Sequence, residues 1–385
     1  MKMLIGILFV SITIASCKEP FVLDSISYNR TLVVEAQLTN ELKNHKVILS
    51  YTSPVDLAAS IPETGATVRI LDGENQEIVL TESPLGTYQT PVMSGVRGQS
   101  YTLYIEVANG EKYQSQTVVQ KGVSEIDTVS ARFIVNDANL DGLEFSVSAH
   151  SDDPKVSNFY RWEWIETYEI NTPFPSRYEW VGGRMPVLRT NQVGNCWPTV
   201  QSGTINVKSS SGFNENRIIN SPIHFVQNGS QKLRSKYSLL VRQYSLDSEA
   251  FTYWRTINEL LSRQGSLADI QPGNLPGNVF NENGKRVLGY FDASDVSTYR
   301  VFIDPDDFES DGLRTTNPLF GCALGQYIVP TDSLAIFFRG TDRGTYVIYD
   351  DVDASPNNRA GWILVRKKCG DCTESGTNIK PEYWE

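Results

Sequence analysis

From Thr31 onward, apolar side chains recur at every second position in short runs, and each run is closed by glycine, asparagine or another turn former. A two-residue period turns one face of each run toward a core and the other toward water, as antiparallel strands require. Thr31-Leu-Val-Val-Glu-Ala-Gln-Leu opens the series, and Lys46-Val-Ile-Leu-Ser-Tyr-Thr and Ala66-Thr-Val-Arg-Ile-Leu follow. Asp72-Gly73 marks a hairpin turn, after which Glu77-Ile-Val-Leu pairs back. Tyr101-Thr-Leu-Tyr-Ile-Glu-Val, the turn Asn109-Gly110 and Lys112-Tyr-Gln-Ser complete the set. This spacing predicts an immunoglobulin-like β-sandwich over 31–121.

A second β-rich region is expected over 122–385, which makes the whole chain mainly β. Strands are read at 129–135, 143–149, 159–169 and 237–244, and again at 287–291, 299–303, 334–338 and 362–366. One segment changes period. Phe251, Trp254, Ile257, Leu260 and Leu261 fall on one face at helical spacing, so a short helix is predicted near 248–262. Ser245 or Asp247 would cap its start, and Gln264-Gly265 would end it. With 40% hydrophobic and 11% aromatic residues, the chain has the composition of a folded protein, and 385 residues suggest about two domains.

The amino terminus assigns a compartment. Lys2 precedes a mostly apolar run, 3–14, that is shorter than the roughly 20 residues needed to span a bilayer. Ile14-Ala15-Ser16-Cys17 has the form of a lipobox, so 1–16 reads as a lipoprotein signal peptide and 17–30 as a tether lipidated at Cys17. Each buried methylene contributes about 0.8 kcal/mol, and two or more acyl chains make attachment stable. The expected location is the outer membrane, lipid-anchored; Lys18-Glu19 loosely resembles a surface-export signal, which puts the protein at the cell surface. A net charge of −11 offers nucleic acid no clustered basic face.

Cys196, Cys322, Cys369 and Cys372 remain beyond the signal. An even number in an oxidising compartment predicts disulfides, with three pairings open. The alternatives for Cys369-Gly-Asp-Cys372 are half of a zinc site, which lacks a second pair, or a redox pair, which lacks a thioredoxin-like surround.

Several stretches together carry a family resemblance: the opening strand from Thr31, Gly65-Ala-Thr-Val-Arg-Ile, Gly98-Gln-Ser-Tyr-Thr-Leu, Pro276-Gly-Asn-Val, Leu288-Gly-Tyr-Phe and the end from Cys369-Gly-Asp-Cys to Pro381-Glu-Tyr-Trp. Their order resembles the Bacteroidota lipoproteins grouped as domain of unknown function 4249, over nearly the whole mature chain. Ala36 departs from that pattern, where glycine is usual. The resemblance implies a TonB-dependent outer-membrane transporter as partner, and it brings no catalytic residues.

The residues themselves point the same way. No Gly-x-Ser-x-Gly elbow occurs and the three histidines are scattered, so no catalytic constellation is recognised. The expectation is a non-enzymatic accessory or ligand-binding protein, with a glycan or peptide as ligand; a lipid-anchored hydrolase acting on glycans and a structural or adhesion module are the alternatives. His150 beside Ser151-Asp152-Asp153 reads as a solvated strand end. Asp137, Asn139 and Asp141 have the oxygen spacing of the first half of a calcium loop, but Ser148 stands where its bidentate acid belongs, so a polar turn is the simpler reading. Asp304 to Asp311 is a second acidic loop of the same kind. Trp162 and Trp164 read as core. Tyr178, Trp180 and Trp197 lie in a long stretch without regular pattern, 171–222, where exposed aromatics could stack on a sugar or anchor a partner.

Overall fold

The computed structural model describes residues 30–53, 60–183, 185–212, 215–262, 275, 277–315, 322, 327–340, 344–353 and 360–384. The proposed signal, Cys17 and the tether up to residue 29 lie outside them, as does the expected helix end at Gln264-Gly265.

The first sandwich forms where alternation demanded it. Leu32–Thr39 buries Leu32, Val34, Ala36 and Leu38 and turns Glu35 outward. It pairs antiparallel with Lys46–Tyr51 in one sheet, while Thr67–Asp72, Ser100–Glu106 and Lys112–Ser115 form the other. The expected boundary at 121 does not hold. Val287–Ser294 runs parallel to Leu32–Thr39 along its whole length, and Val279–Asn281 pairs with Lys112–Ser115, so one distant segment adds a strand to each sheet. The physical cause is the open edge of the first strand, whose N–H and C=O groups need a partner. Phe291 and Val279 complete the same core. Gly289 sits opposite Val34 at φ +131°, and a β-carbon there would lie 1.9 Å from the Val34 carbonyl oxygen. Only glycine permits that approach.

The remainder is built from two packed sheets and a further five-stranded sheet. Ile126–Val135, Asp141–Ser151 and Asn216–Gln227 form a three-stranded sheet. It packs on a second sheet in which Phe159–Tyr168, Tyr237–Leu246 and Val296–Ile303 are neighbours. Tyr160, Trp162 and Trp164 lie buried between them, as their alternation predicted, with the Trp162 indole donating to Gln243 at 2.8 Å. Only Asp295 separates the strand that closes the first sandwich from one that builds the second. Its carboxylate accepts from Gln120 at 2.7 Å, and an Arg242–Glu41 ion pair at 2.5 Å fastens the same seam.

Helix α1, Ser248–Ser262, starts as expected: the Asp247 carboxylate accepts from the Ala250 amide at 2.7 Å. Phe251, Trp254 and Ile257 pack inward, joined by Tyr253, while Leu261 is exposed.

The third unit is a five-stranded sheet ordered Val187–Leu188, Tyr178–Glu179, Tyr346–Val352, Gly361–Arg366, Tyr327–Pro330. Two expectations fail here. The segment 334–338, read as a strand, is helix α2, Leu334–Arg339, which buries Leu334 and Phe338 one turn apart. Five apolar residues in a row fit either period, and the preceding Pro330 and Ser333 turn decides for helix. The stretch 171–222 contains short strands at 178–179, 187–188, 195–196, 199–201 and 206–209, and the long strand Asn216–Gln227 begins within it. Two-residue strands are too short for alternation to show.

The two disulfides are Cys196–Cys372 and Cys322–Cys369. The cysteines at 369 and 372 therefore take different partners: Cys322–Cys369 closes the third unit on itself, and Cys196–Cys372 ties its end to the preceding chain.

Candidate aromatic cleft

Tyr178 and Trp180 meet on the third sheet. Tyr178 pairs with Ile348, and its ring stands edge-on to Trp362 at 5.0 Å. Its hydroxyl donates to Asp351 at 3.1 Å, and that bond, with burial and the charge of Asp351 added, pushes the phenol up and keeps it neutral. Arg177 grips Asp350 through two contacts of 2.8 and 2.9 Å. Trp180 lies parallel to Phe338 of α2, 13° apart with centroids at 6.0 Å. Stacked rings of this kind fix one another's planes, and Trp180 stays half-buried.

Between this pair and the sheet opens a cleft of about 590 Å³, walled by Trp180, Gly182, Phe338 and Tyr346, with Arg189 and Arg339 at its rim. That volume falls within the roughly 300–1,000 Å³ of ligand pockets. Arg189 is held from behind: its Nε donates to the Ser176 hydroxyl at 3.1 Å, and that hydroxyl donates to the Ile348 carbonyl at 2.8 Å. Glu179 stands 3.7 Å from the Arg189 guanidinium, too far for a hydrogen bond. Arg339 is exposed and pairs with no carboxylate among the described residues. Phe338, Arg339, Tyr346 and Arg189 were not anticipated; the spacing of Leu334 and Phe338 after a proline-led turn was the available signal for the first two.

Trp197 is elsewhere. It is buried beside Cys196–Cys372, and its amide donates to the Thr377 carbonyl at 2.8 Å, where it packs the carboxy-terminal tail. The expectation of an exposed aromatic is corrected for this residue: the tail covers it. Trp384, further along the tail, stands edge-on to Phe302.

Asp137, Asn139 and Asp141 do not converge. They form the turn between Ile126–Val135 and Asp141–Ser151: the Asn136 side chain accepts from the Ala138 and Leu140 amides at 3.0 Å, and Asn139 takes φ +59°. Asp141 is occupied by Asn228 at 2.7 Å. Among the described residues, no group of three His, Cys, Asp or Glu side chains is placed to hold a metal ion. His150 contacts Asp127 at 2.8 Å in an exposed position, away from Ser151. Asp304 caps a short 3-10 helix at Pro305–Asp311.

Two buried acids belong to the frame. Burial would raise Glu166, but hydrogen bonds and charges from His224 and Lys232 outweigh it and hold the carboxyl down at about 2; Lys232 lies at 2.7 Å and the Tyr237 hydroxyl at 3.0 Å. Asp292, beneath the seam, is pushed up to about 6 by burial, with the Ser294 hydroxyl at 2.5 Å opposing.

No helix among the described residues is long and apolar enough to cross a membrane. No curated protein matches the chain. Among solved structures, one similar chain is a "Biofilm associated protein - BSP domain", at 8% identity over 88% of this chain and 71% of that one; its TM-score of 0.18 is too low to argue from. A family model, "Domain of unknown function (DUF4249)", matches residues 18–300, which takes in the first sandwich, most of the second and the Tyr178–Trp180 wall and ends before Phe338. The match spans most of the sequence, and the chain accordingly belongs to the DUF4249 family.

Proposed function

We propose that this protein is a lipid-anchored accessory protein of the outer membrane, without catalysis of its own, that captures a ligand for a TonB-dependent transporter in the Trp180–Phe338 cleft. The cleft carries the reading. It joins a flat aromatic wall to two guanidinium groups on a module that two disulfides hold. Preorganised walls of this kind lower the ordering cost of binding. The lipobox-like Ile14-Ala15-Ser16-Cys17 supports the anchor, and the resemblance supports the transporter. Affinity purification of the full chain from detergent-solubilised outer membranes tests the partnership. The transporter is expected to co-purify with the native chain and to be lost with Cys17→Ser. Recovery of the native chain alone, or an unmodified thiol at Cys17 by mass spectrometry, would refute it.

A further inference from the structure

We infer that the cleft takes a carboxylate-bearing sugar, one uronic-acid unit of an anionic glycan, an inference that rests on the capture reading and names its ligand. Three observations carry it. First, the rim charge opposes the rest of the molecule: a chain of net charge −11 places Arg189 and Arg339 on the cleft against one carboxylate among its described lining residues, Glu179. Glu179 makes only a loose ion pair with Arg189 at 3.7 Å, and with Nε taken by Ser176 the terminal N–H groups of that guanidinium have no hydrogen-bonded carboxylate among the described residues. Among the described residues, the neighbouring acids Asp350 and Asp351 are engaged, the first by Arg177 and the second by the Tyr178 hydroxyl. A planar guanidinium receives a carboxylate through two parallel hydrogen bonds, so an acid fits this rim better than a hydroxyl alone.

Second, the wall is flat. Trp180 is backed by Phe338 at 13°, which fixes the indole plane. The face of an indole is electronegative and attracts the slightly positive C–H groups on one face of a pyranose ring. A uronic acid presents such a face and a carboxylate on one rigid ring, so both contacts form with little ordering cost.

Third, the bordering strand is unsuited to a peptide. Strand addition needs a row of free N–H groups at a sheet edge. The edge beside the cleft is Val187–Leu188, only two residues long and preceded by Pro186, which has no N–H.

Calorimetry on the full-length protein in detergent tests this with a galacturonic acid hexamer, a neutral cellohexaose and a hexaglutamate peptide. The galacturonate is expected to bind, the neutral sugar at least about tenfold more weakly, and the peptide likewise. Arg339→Gln, at an exposed position where folding is not at stake, should weaken galacturonate by about tenfold, and Trp180→Ala should abolish the signal. Equal binding of cellohexaose overturns the anionic part, and equal or tighter binding of hexaglutamate overturns the sugar part. If either replaces galacturonate and still depends on Trp180, this inference falls while the capture reading stands. Galacturonate binding indifferent to both substitutions removes the cleft from both readings, and absence of any galacturonate binding overturns the inference.

Discussion

Removing the Cys322–Cys369 bond, by a Cys322→Ala/Cys369→Ala double variant, should open the cleft module while the two sandwiches stay folded. The bond closes 47 positions of chain. Constraint of the unfolded chain by such a loop contributes about 4 kcal/mol. The module has little else. Its core is Leu334, Phe338, Ile348, Trp362 and Leu364, worth roughly 2 kcal/mol each when fully buried. Against this stands about 1–2 kcal/mol of backbone entropy for each ordered residue of α2 and three strands. Loss of the staple therefore removes a large part of the local margin and raises the open population by roughly a thousandfold, at about 1.4 kcal/mol per decade. Cys196–Cys372 remains and keeps the far end attached. Brief trypsin treatment followed by mass spectrometry reads this directly, with cleavage at Arg339 and Arg366 rising first. A variant as resistant as the native chain, or one whose sandwiches unfold in the same step, would refute the reasoning.

Other substitutions read other parts of the frame. Gly289→Ala should cost more than about 3 kcal/mol, because its β-carbon meets the Val34 backbone at a positive φ; a thermal midpoint near native would deny the close parallel approach. Asp292 holds its proton in the folded state up to about 6 against an ordinary 3.8, so stability falls as pH rises through that window and levels above it. Asp292→Asn should be more stable than the native chain at pH 7 by roughly 3 kcal/mol at most, with the gap gone below about pH 4; a pH-independent gap in denaturant unfolding would count against it. Glu166 has the opposite sign: its carboxyl is held at about 2, so its contribution is complete above about 4.5 and is lost as pH falls through 2. Glu166→Gln should cost about 2 kcal/mol at pH 7 after allowance for solvent at the Lys232 end, and acid titration should show the two proteins converging toward pH 2.

How much was legible varied with element length. The long strands through Trp162 and Leu143 and the helix after Asp247 each show a full period and a terminal signal, and the strands formed as read, as did the start of the helix. Tyr346–Val352 carries no clear signal of its own, and 334–338 fits strand and helix alike, because short apolar runs satisfy both templates. Of three aromatics proposed as a surface, Tyr178 and Trp180 line the cleft and Trp197 packs the tail. Nothing in the neighbourhood of Trp197 marks the difference, since the segment that covers it begins at Cys372.

Local chemistry is what the amino-acid sequence determined by itself: the mainly β character, the turns, the capped helix, the presence of disulfides and the family. These depend on neighbours within a turn or a hairpin. Tertiary structure alone decided which distant edges and thiols meet. Leu32–Thr39 could accept any free strand, yet Val287–Ser294 closes it, because only Gly289 allows the backbones to approach and Phe291 fills the core. Four equivalent cysteines became two particular bonds in the same way. The cleft joins residues 178–189 to 338–348, and strand edges, thiols and guanidinium groups carry no address until packing selects their partners.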